Sequence, residues 1–251
     1  MTFIIAHRGF RKTSEPDNSI QAFQTAIKAN ADGFEFDVQL SSDGHLVCFH
    51  DATLAKLGRS ERIDDLKLGD LTEIELSEGI TIPSLEDILE KFGNKILMNI
   101  ELKPQKNGVK ELVRVIQQYD INNTPENIII SSFHGEALQE IKELNPELPT
   151  GLLVGFARNQ IPLTQKFNCD AIHPFYDKIP GGGTKIPYWL STRLHKYYTH
   201  KSFKEARNKG ILVNPYTVNT EQYLLSCFKK KVYGVITDEV NRAFQIRQNF
   251  Y

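Results

Sequence analysis

The sequence has little of what marks several large classes of protein. Its three cysteines, Cys48, Cys169 and Cys227, are far apart and show no CxxC spacing, which argues against disulfides and zinc. The formal net charge of −1 gives no reason to expect a nucleic-acid partner. No apolar run approaches the roughly 18 residues of a membrane span. The first residues lack the basic region and apolar stretch of a signal peptide, so we expect a cytoplasmic protein.

The chain instead shows strands alternating with amphipathic helices. With 251 residues and 40% apolar content, it suits one α/β barrel of ordinary size or two small domains. No change in composition marks a boundary, so we predict a single domain over residues 1–251. The predicted parallel strands are two that end at His7 and Asp37, then Ile96–Leu102, Ile128–Ser132, Thr150–Val154, Ala171–His173, Ile211–Asn214 and Gly234–Thr237. Eight strands in this alternation predict a (β/α)8 TIM barrel.

An additional hairpin is expected at the barrel mouth. Only Ser41 to Gly44 separate the Glu35 strand from the His50 strand, so the two must be antiparallel. A two-residue turn would place His50 opposite Glu35 or Asp37, on one face with both, unless a bulge intervenes. Residues 52–82 are polar and irregular, and they are predicted to form a long connection with little core of its own.

Three carboxylates fall on one face of the predicted strands. Alternation puts Asn99 and Glu101 on the side of their strand opposite Met98 and Ile100, and the polar side should face the barrel interior. At the C-terminal strand ends, Glu35, Asp37 and Glu101 would then converge. Unpaired, these acids would repel one another and at least one would keep its proton. One divalent cation, Mg²⁺ or Ca²⁺, resolves the repulsion.

Two histidines flank the predicted carboxylate cluster. His7 and His50 come from different strands and can approach a bound substrate from opposite sides, which suits in-line phosphoryl transfer with one base and one acid. Arg8 and Lys103 would offset the charge of a phosphate. A purely structural role for all five ionisable groups would leave their cost uncompensated.

At this point the sequence resembles the glycerophosphodiester phosphodiesterase family, among the phospholipase-C-like barrels. The matching text runs in order through nearly the whole chain. It comprises Ala6-His7-Arg8-Gly9, Pro16-Asp17-Asn18-Ser19, Gly33 to Val38, Ser42-Asp43-Gly44, His50-Asp51, Ile82 to Leu85, Glu101-Leu102-Lys103, Ser132-Phe133, Tyr216-Thr217-Val218-Asn219 and Ile236-Thr237-Asp238.

The resemblance implies a specific assignment of roles. His7 and His50 would be the acid–base pair, Glu35, Asp37 and Glu101 the ligands of Mg²⁺ or Ca²⁺, and Arg8 and Lys103 the phosphate contacts. The reaction would hydrolyse a small glycerophosphodiester to glycerol 3-phosphate and an alcohol. Attack by a glycerol hydroxyl, through a cyclic phosphate, and direct attack by water both stay open.

The chain departs from the family pattern in places that bear on the substrate rather than the chemistry. Asp17 stands where the family usually has Glu, Tyr216 where it usually has Trp, and the segment after His50 is short. Two alternatives are a lysophospholipase D that accepts lipid-bearing diesters and a non-catalytic phosphodiester-binding protein. An apolar channel at the mouth would favour the first, and loss of a histidine or carboxylate the second.

Several other residues have plainer interpretations. Asn18, with Gln21, is predicted to cap a helix through about Ala29, and Asp51 to be a turn residue. His173 is equally compatible with the mouth and with the core. Solvated helix faces are expected within Arg193 to Lys209, and an ordinary loop at Gly181 to Gly183.

Overall fold

Eight parallel strands form a barrel in this computed structural model, which describes residues 1–10, 15–155, 160–176 and 203–250. In chain order the described strands are β1 Phe3–His7, β2 Gly33–Leu40, β3 Leu46–Cys48, β4 Glu75–Ser77, β5 Ile80–Thr81, β6 Leu97–Leu102, β7 Ile128–Ser132, β8 Thr150–Val154, β9 Ala171–Pro174, β10 Leu212–Val213 and β11 Gly234–Thr237. The helices are α1 Ile20–Lys28, α2 Leu68–Thr72, α3 Leu85–Phe92, α4 Gly108–Gln118, α5 Gly135–Leu144, α6 Gln160–Lys166, α7 at 203–208, α8 Glu221–Lys230 and α9 Val240–Gln248.

The barrel strands follow the order β10-β9-β8-β7-β6-β2-β1-β11. The two ends of this order meet through backbone hydrogen bonds: Tyr233 donates to the Val213 carbonyl and Ile236 to the Pro215 carbonyl, each at 3.0 Å. The predicted (β/α)8 architecture is therefore confirmed.

Alternation along the strands separates two cores. Met98, Ile100 and Leu102 point outward into the main core between barrel and helices, while Leu97 packs inside the barrel with Ile5 and Ile236. Above that apolar layer the interior is polar, and Asn99 donates to Ser131 at 3.0 Å. The inward direction of the polar residues of β6 is thus as predicted, and it carries Glu101 to the mouth.

The hairpin register differs from the predicted one. β2 and β3 pair antiparallel with Val38 opposite Cys48 and Leu40 opposite Leu46, and the Ser41 amide donates to the His45 carbonyl at 2.8 Å. The loop between Ser41 and His45 therefore contains three residues rather than two. Gly44 lies in the left-handed region with φ +85°, which completes a three-residue turn of the bulged type. The extra residue reverses the parity, so the ladder itself does not place His50 opposite Glu35 or Asp37. His50 follows the end of β3, where the chain has left the ladder.

The segment from 52 to 82 has a core, contrary to expectation. Leu54, Ile63, Leu71 and Ile82 are fully buried with Val47 in a cluster separate from the main core. These apolar residues are spaced too irregularly to show a helical or strand period. Two short 3₁₀ turns, α2 and the β4–β5 hairpin bring them together.

The predicted cap of α1 is displaced by one residue. Ser84 and Asp87 form a capping box on α3, as their spacing indicates. On α1 the cap is Ser19, whose hydroxyl accepts from the Ala22 amide, and not Asn18. Asn18 has φ +59° and turns its side chain away from the helix, toward the barrel mouth.

Other expectations concern the remaining segments. All three cysteines are free and buried. Among the described residues no helix has both the length and the apolarity to cross a bilayer. Two of these expectations fall wholly or partly outside the described residues. They concern Gly181 to Gly183 and the part of the Arg193 to Lys209 stretch that precedes residue 203. The single domain and the cytoplasmic location stay predictions.

Candidate active site

Strand pairing brings the three predicted carboxylates together at the barrel mouth. In the parallel register His7 of β1 lies beside Glu35 of β2, and Asp37 beside Glu101 of β6. One carboxylate oxygen from each of Glu35, Asp37 and Glu101 lies within 4.8 Å of the other two. The acids thus converge on one point, as the strand alternation predicted.

Asn18 holds the most buried of these acids. Its Nδ2 donates to Asp37 Oδ2 at 3.0 Å, and its Oδ1 accepts from the Asp37 backbone amide at 3.2 Å. Gly9 lets its segment lie against α1, since a Cβ there would lie 2.8 Å from Ala22, and the neighbouring Arg8 carbonyl accepts the Asn18 amide at 3.0 Å. Asn18 therefore orients an acid of the cluster. The prediction that Asn18 is a helix cap missed this role.

Two cations offset the charge of the acids. Lys103 Nζ lies 2.6 Å from Asp37 Oδ1 and 2.5 Å from Glu101 Oε1, while Arg8 Nε lies 3.2 Å from Asp37 Oδ2. Burial by itself would raise the pKa of Asp37, but the charges of Lys103, Arg8 and His50 outweigh it and lower that pKa. Lys103 and Arg8, predicted to contact phosphate, here contact the carboxylates where a substrate would enter.

Glu35 shows that this compensation is incomplete. Burial, followed by the charge of Asp37, raises the pKa of Glu35 to about 8, although its Oε2 accepts the Arg8 backbone amide at 2.9 Å. A buried acid that retains its proton beside two other acids is the expected result of too little positive charge. Three convergent hard oxygen donors with unbalanced charge fit a Mg²⁺ or Ca²⁺ ion.

His7 is held by a second carboxylate. Its Nδ1 hydrogen-bonds Asp238 Oδ1 at 2.8 Å, and Asn219 fixes Asp238 by donating to Oδ2 at 2.6 Å and accepting its amide at 2.9 Å. Burial lowers the pKa of His7, but the Asp238 hydrogen bond and the charge of Glu35 outweigh it and raise that pKa. The Nε2 atom lies 4.0 Å from Glu35 Oε2 and is left facing the cluster.

His50 repeats this arrangement near the surface. Its Nδ1 hydrogen-bonds Asp51 Oδ1 at 2.6 Å, and Lys56 Nζ lies 2.7 Å from Asp51 Oδ2. The His50 side chain is 37% exposed, against 14% for His7. A cavity of about 200 Å³ is lined by His50, Arg8 and Asn18, among others, and the charge of His50 acts on Asp37. His50 therefore lies near the carboxylates despite the different hairpin register.

An aromatic rim borders the site on the side of β7 and β10. Phe133 follows β7 and is 53% exposed, and its ring packs edge-on against Tyr216 at 6.1 Å between centroids. Burial raises the pKa of Tyr216, and the charge of Glu101 adds to that rise, which places the phenol near the carboxylate cluster.

His173 belongs to the core and not to the site. It is fully buried, its Nε2 lies 3.1 Å from Asn214 Nδ2, and burial lowers its pKa to about 3. We did not predict from the sequence that Asp238 orients His7 or that Asn219 orients Asp238. Both occur in the text that carries the family resemblance, and that was the available signal.

The chain is similar to known proteins over nearly its whole length. The model described as "Glycerophosphoryl diester phosphodiesterase family" matches residues 7–242. A protein named glycerophosphodiester phosphodiesterase from Caldanaerobacter subterraneus subsp. tengcongensis is 30% identical over 259 residues, which cover 95% of this chain and 94% of that protein. A protein of the same name from Bacillus altitudinis is 30% identical over 262 residues, 99% of each chain.

Solved structures share the fold. The glycerophosphodiester phosphodiesterase of Thermotoga maritima has a TM-score of 0.78 and 26% identity, over 98% of this chain and 99% of that one. A phosphodiesterase from Oleispira antarctica, solved in complex with the product sn-glycerol-3-phosphate, has a TM-score of 0.79 and 22% identity, over 98% of this chain and 96% of that one. The similarity extends over the entire barrel.

Proposed function

Since the chain belongs to the glycerophosphoryl diester phosphodiesterase family and is an enzyme of that class, we propose that it hydrolyses glycerophosphodiesters to glycerol 3-phosphate and an alcohol, with His7 and His50 as acid and base. The observation that carries this proposal is the convergence of three carboxylates within 4.8 Å of one another, beside a histidine held by its own aspartate. The relative solved with sn-glycerol-3-phosphate supports the product class.

The two histidines are suited to moving protons at Nε2. In each ring Nδ1 hydrogen-bonds an aspartate, which sets the tautomer and leaves Nε2 for the substrate. One ring takes the proton of the attacking hydroxyl or water, and the other protonates the leaving alcohol oxygen. Such general acid–base catalysis typically contributes roughly 10²- to 10⁴-fold to the rate.

The carboxylates supply the proposed cation site. Glu35, Asp37 and Glu101 would hold one Mg²⁺ or Ca²⁺ ion, which when bound would offset charge developing on the phosphate oxygens. Arg8 and Lys103 are close enough to the acids to bind phosphate at the same point, and a guanidinium can do so with two hydrogen bonds.

The test is an assay of glycerol 3-phosphate release from a panel of glycerophosphodiesters with different alcohols, in Mg²⁺, Ca²⁺ or chelator. We expect turnover that depends on the cation and that falls at least about 100-fold in folded His7→Ala and His50→Ala proteins. His134→Ala, which removes an exposed histidine outside the carboxylate cluster, is the matched control. Wild-type turnover in a folded His7→Ala protein would contradict the proposal.

The aromatic rim favours a second substrate class, the lipid-bearing diesters of a lysophospholipase D. An exposed ring such as Phe133 can pack against an acyl chain, and Tyr216 extends that surface toward Glu101. If this is the substrate, Phe133→Ser should raise KM for lysophospholipids and leave KM for water-soluble glycerophosphodiesters unchanged. Equal effects on both substrates would exclude it.

A further inference from the structure

A second cluster of ligand-type side chains lies away from the barrel mouth. His45 comes from the turn between β2 and β3, Glu86 from the first turn of α3 and Glu111 from the first turn of α4. One ligand atom from each lies within 4.8 Å of the others. Three segments that are distant in sequence therefore present an imidazole and two carboxylates to one point.

Two atoms of this cluster are buried without a partner. Within the described part of the chain neither His45 Nδ1 nor Glu86 Oε2, although both are shielded from solvent, has a hydrogen bond. The ion pairs found among the described residues join the glutamates to Arg114 and do not include His45. A shielded carboxylate oxygen and a shielded imidazole nitrogen are costly when left unpaired. A metal ion bound between them would satisfy both.

Arg114 is placed to support such an ion. Its Nε donates to Glu111 Oε2 at 2.8 Å and its Nη2 to Oε1 at 2.7 Å, which fixes the carboxylate and leaves further lone pairs on each oxygen. Hydrogen bonds of this kind orient metal-ligating carboxylates. One guanidinium against two carboxylates also leaves the cluster with excess negative charge.

We propose that His45, Glu86 and Glu111 bind one Zn²⁺ ion, at a site separate from Glu35, Asp37 and Glu101. Mixed imidazole and carboxylate donors suit zinc, whereas Mg²⁺ and Ca²⁺ prefer oxygen alone. Donor atoms that each bind one zinc at about 2.0–2.2 Å lie roughly 3–4 Å from one another. Small movements of these partly exposed side chains can reach that spacing. The cysteine spacing argued against zinc, but this site needs no thiolate. The ion ties the β2–β3 turn to two helices.

The test is Zn²⁺ titration of chelator-treated protein by calorimetry, with bound zinc counted after gel filtration. All chains carry Glu101→Gln, which weakens the other cluster and separates this proposal from the proposed function. We expect one zinc per Glu101→Gln chain. Adding His45→Ala should remove it, and adding Arg114→Gln should weaken it roughly 10- to 100-fold. His134→Ala, which removes an exposed histidine outside the cluster, should leave binding unchanged.

A second measurement covers the chance that His45→Ala alters folding. Circular dichroism in chelator reports the fold, and Glu86→Gln provides an independent ligand deletion on α3. X-ray absorption of the zinc-loaded Glu101→Gln protein should show nitrogen and oxygen ligands without sulfur. The proposal is overturned if the Glu101→Gln chain takes up no zinc, or if folded His45→Ala and Glu86→Gln chains in that background bind zinc as tightly as their parent.

Discussion

Removing Asp238 should disable His7 without dismantling the site. Asp238→Ala deletes a 2.8 Å hydrogen bond to His7 Nδ1, in a setting where the histidine side chain is 14% exposed and the aspartate 18%. Hydrogen bonds to charged groups typically contribute about 1.5–3 kcal/mol. If that stabilisation is realised only while His7 carries or transfers the proton, kcat should fall roughly 10- to 150-fold. KM should change little, since Asp238 lies behind the imidazole.

The matched comparison is Asp51→Ala, which deletes the corresponding hydrogen bond to His50 Nδ1. The bond there is shorter, 2.6 Å, but His50 is 37% exposed and Lys56 shares the carboxylate. Solvent screens such a pair, so its contribution should be about 1 kcal/mol or less, and kcat should fall no more than about fivefold. Steady-state kinetics on both variants, with folding checked by circular dichroism, decides the matter. Equal losses, or a larger loss for Asp51→Ala, would refute the argument from burial.

Two further predictions concern Asn18 and the buried His173. Asn18→Gly keeps the φ of +59° but deletes both hydrogen bonds to Asp37, so divalent-cation affinity should fall roughly 10- to 100-fold. The unpaired Asp37 amide should also lower the unfolding temperature; unchanged affinity would contradict this role. Burial lowers the pKa of His173 to about 3, so below about pH 6.5 the unfolded chain binds a proton that the folded chain refuses. Titration of His173 should therefore lower the free energy of unfolding by about 1.4 kcal/mol per pH unit as the pH falls from 6.5 toward 3. Urea unfolding should show this slope reduced in His173→Gln and retained in the exposed control His134→Gln, and an equal slope in both would sink the assignment.

The barrel could be predicted because its signals are local and repeated. Each strand carries an apolar run of strand length, and each is followed by a helical period or a turn, so that the count alone favours eight repeats. The convergence of Glu35, Asp37 and Glu101 followed from alternation along parallel strands. In both cases one rule, applied strand by strand, was sufficient.

The hairpin register could not be predicted from the local sequence of the hairpin. Asp43-Gly44 is compatible with a two-residue turn and also with a three-residue turn that has Gly44 in the left-handed region. The structure has the second, because Leu46 then pairs with Leu40 and both bury their side chains. That balance depends on the helices packed over the hairpin, which are distant in sequence.

The supporting residues of the site were harder to predict for a related reason. Asn18 has the residue type and position of a helix cap, and only the tertiary structure shows that Ser19 takes that role and frees Asn18 for Asp37. Asp238 lies 231 residues from His7 along the chain, and barrel closure alone brings the two together. The secondary-structure propensity of a segment does not indicate which residues of the first and last strands will be in contact.

Crystals grown in Mn²⁺ would show whether the three acids at the barrel mouth hold one divalent cation. Anomalous density is expected between Glu35, Asp37 and Glu101, with Lys103 moved off Asp37, and it should be absent from Glu101→Gln crystals grown in the same way. Density elsewhere in the barrel, or undiminished density in the Glu101→Gln crystals, would exclude a cation held by these three acids.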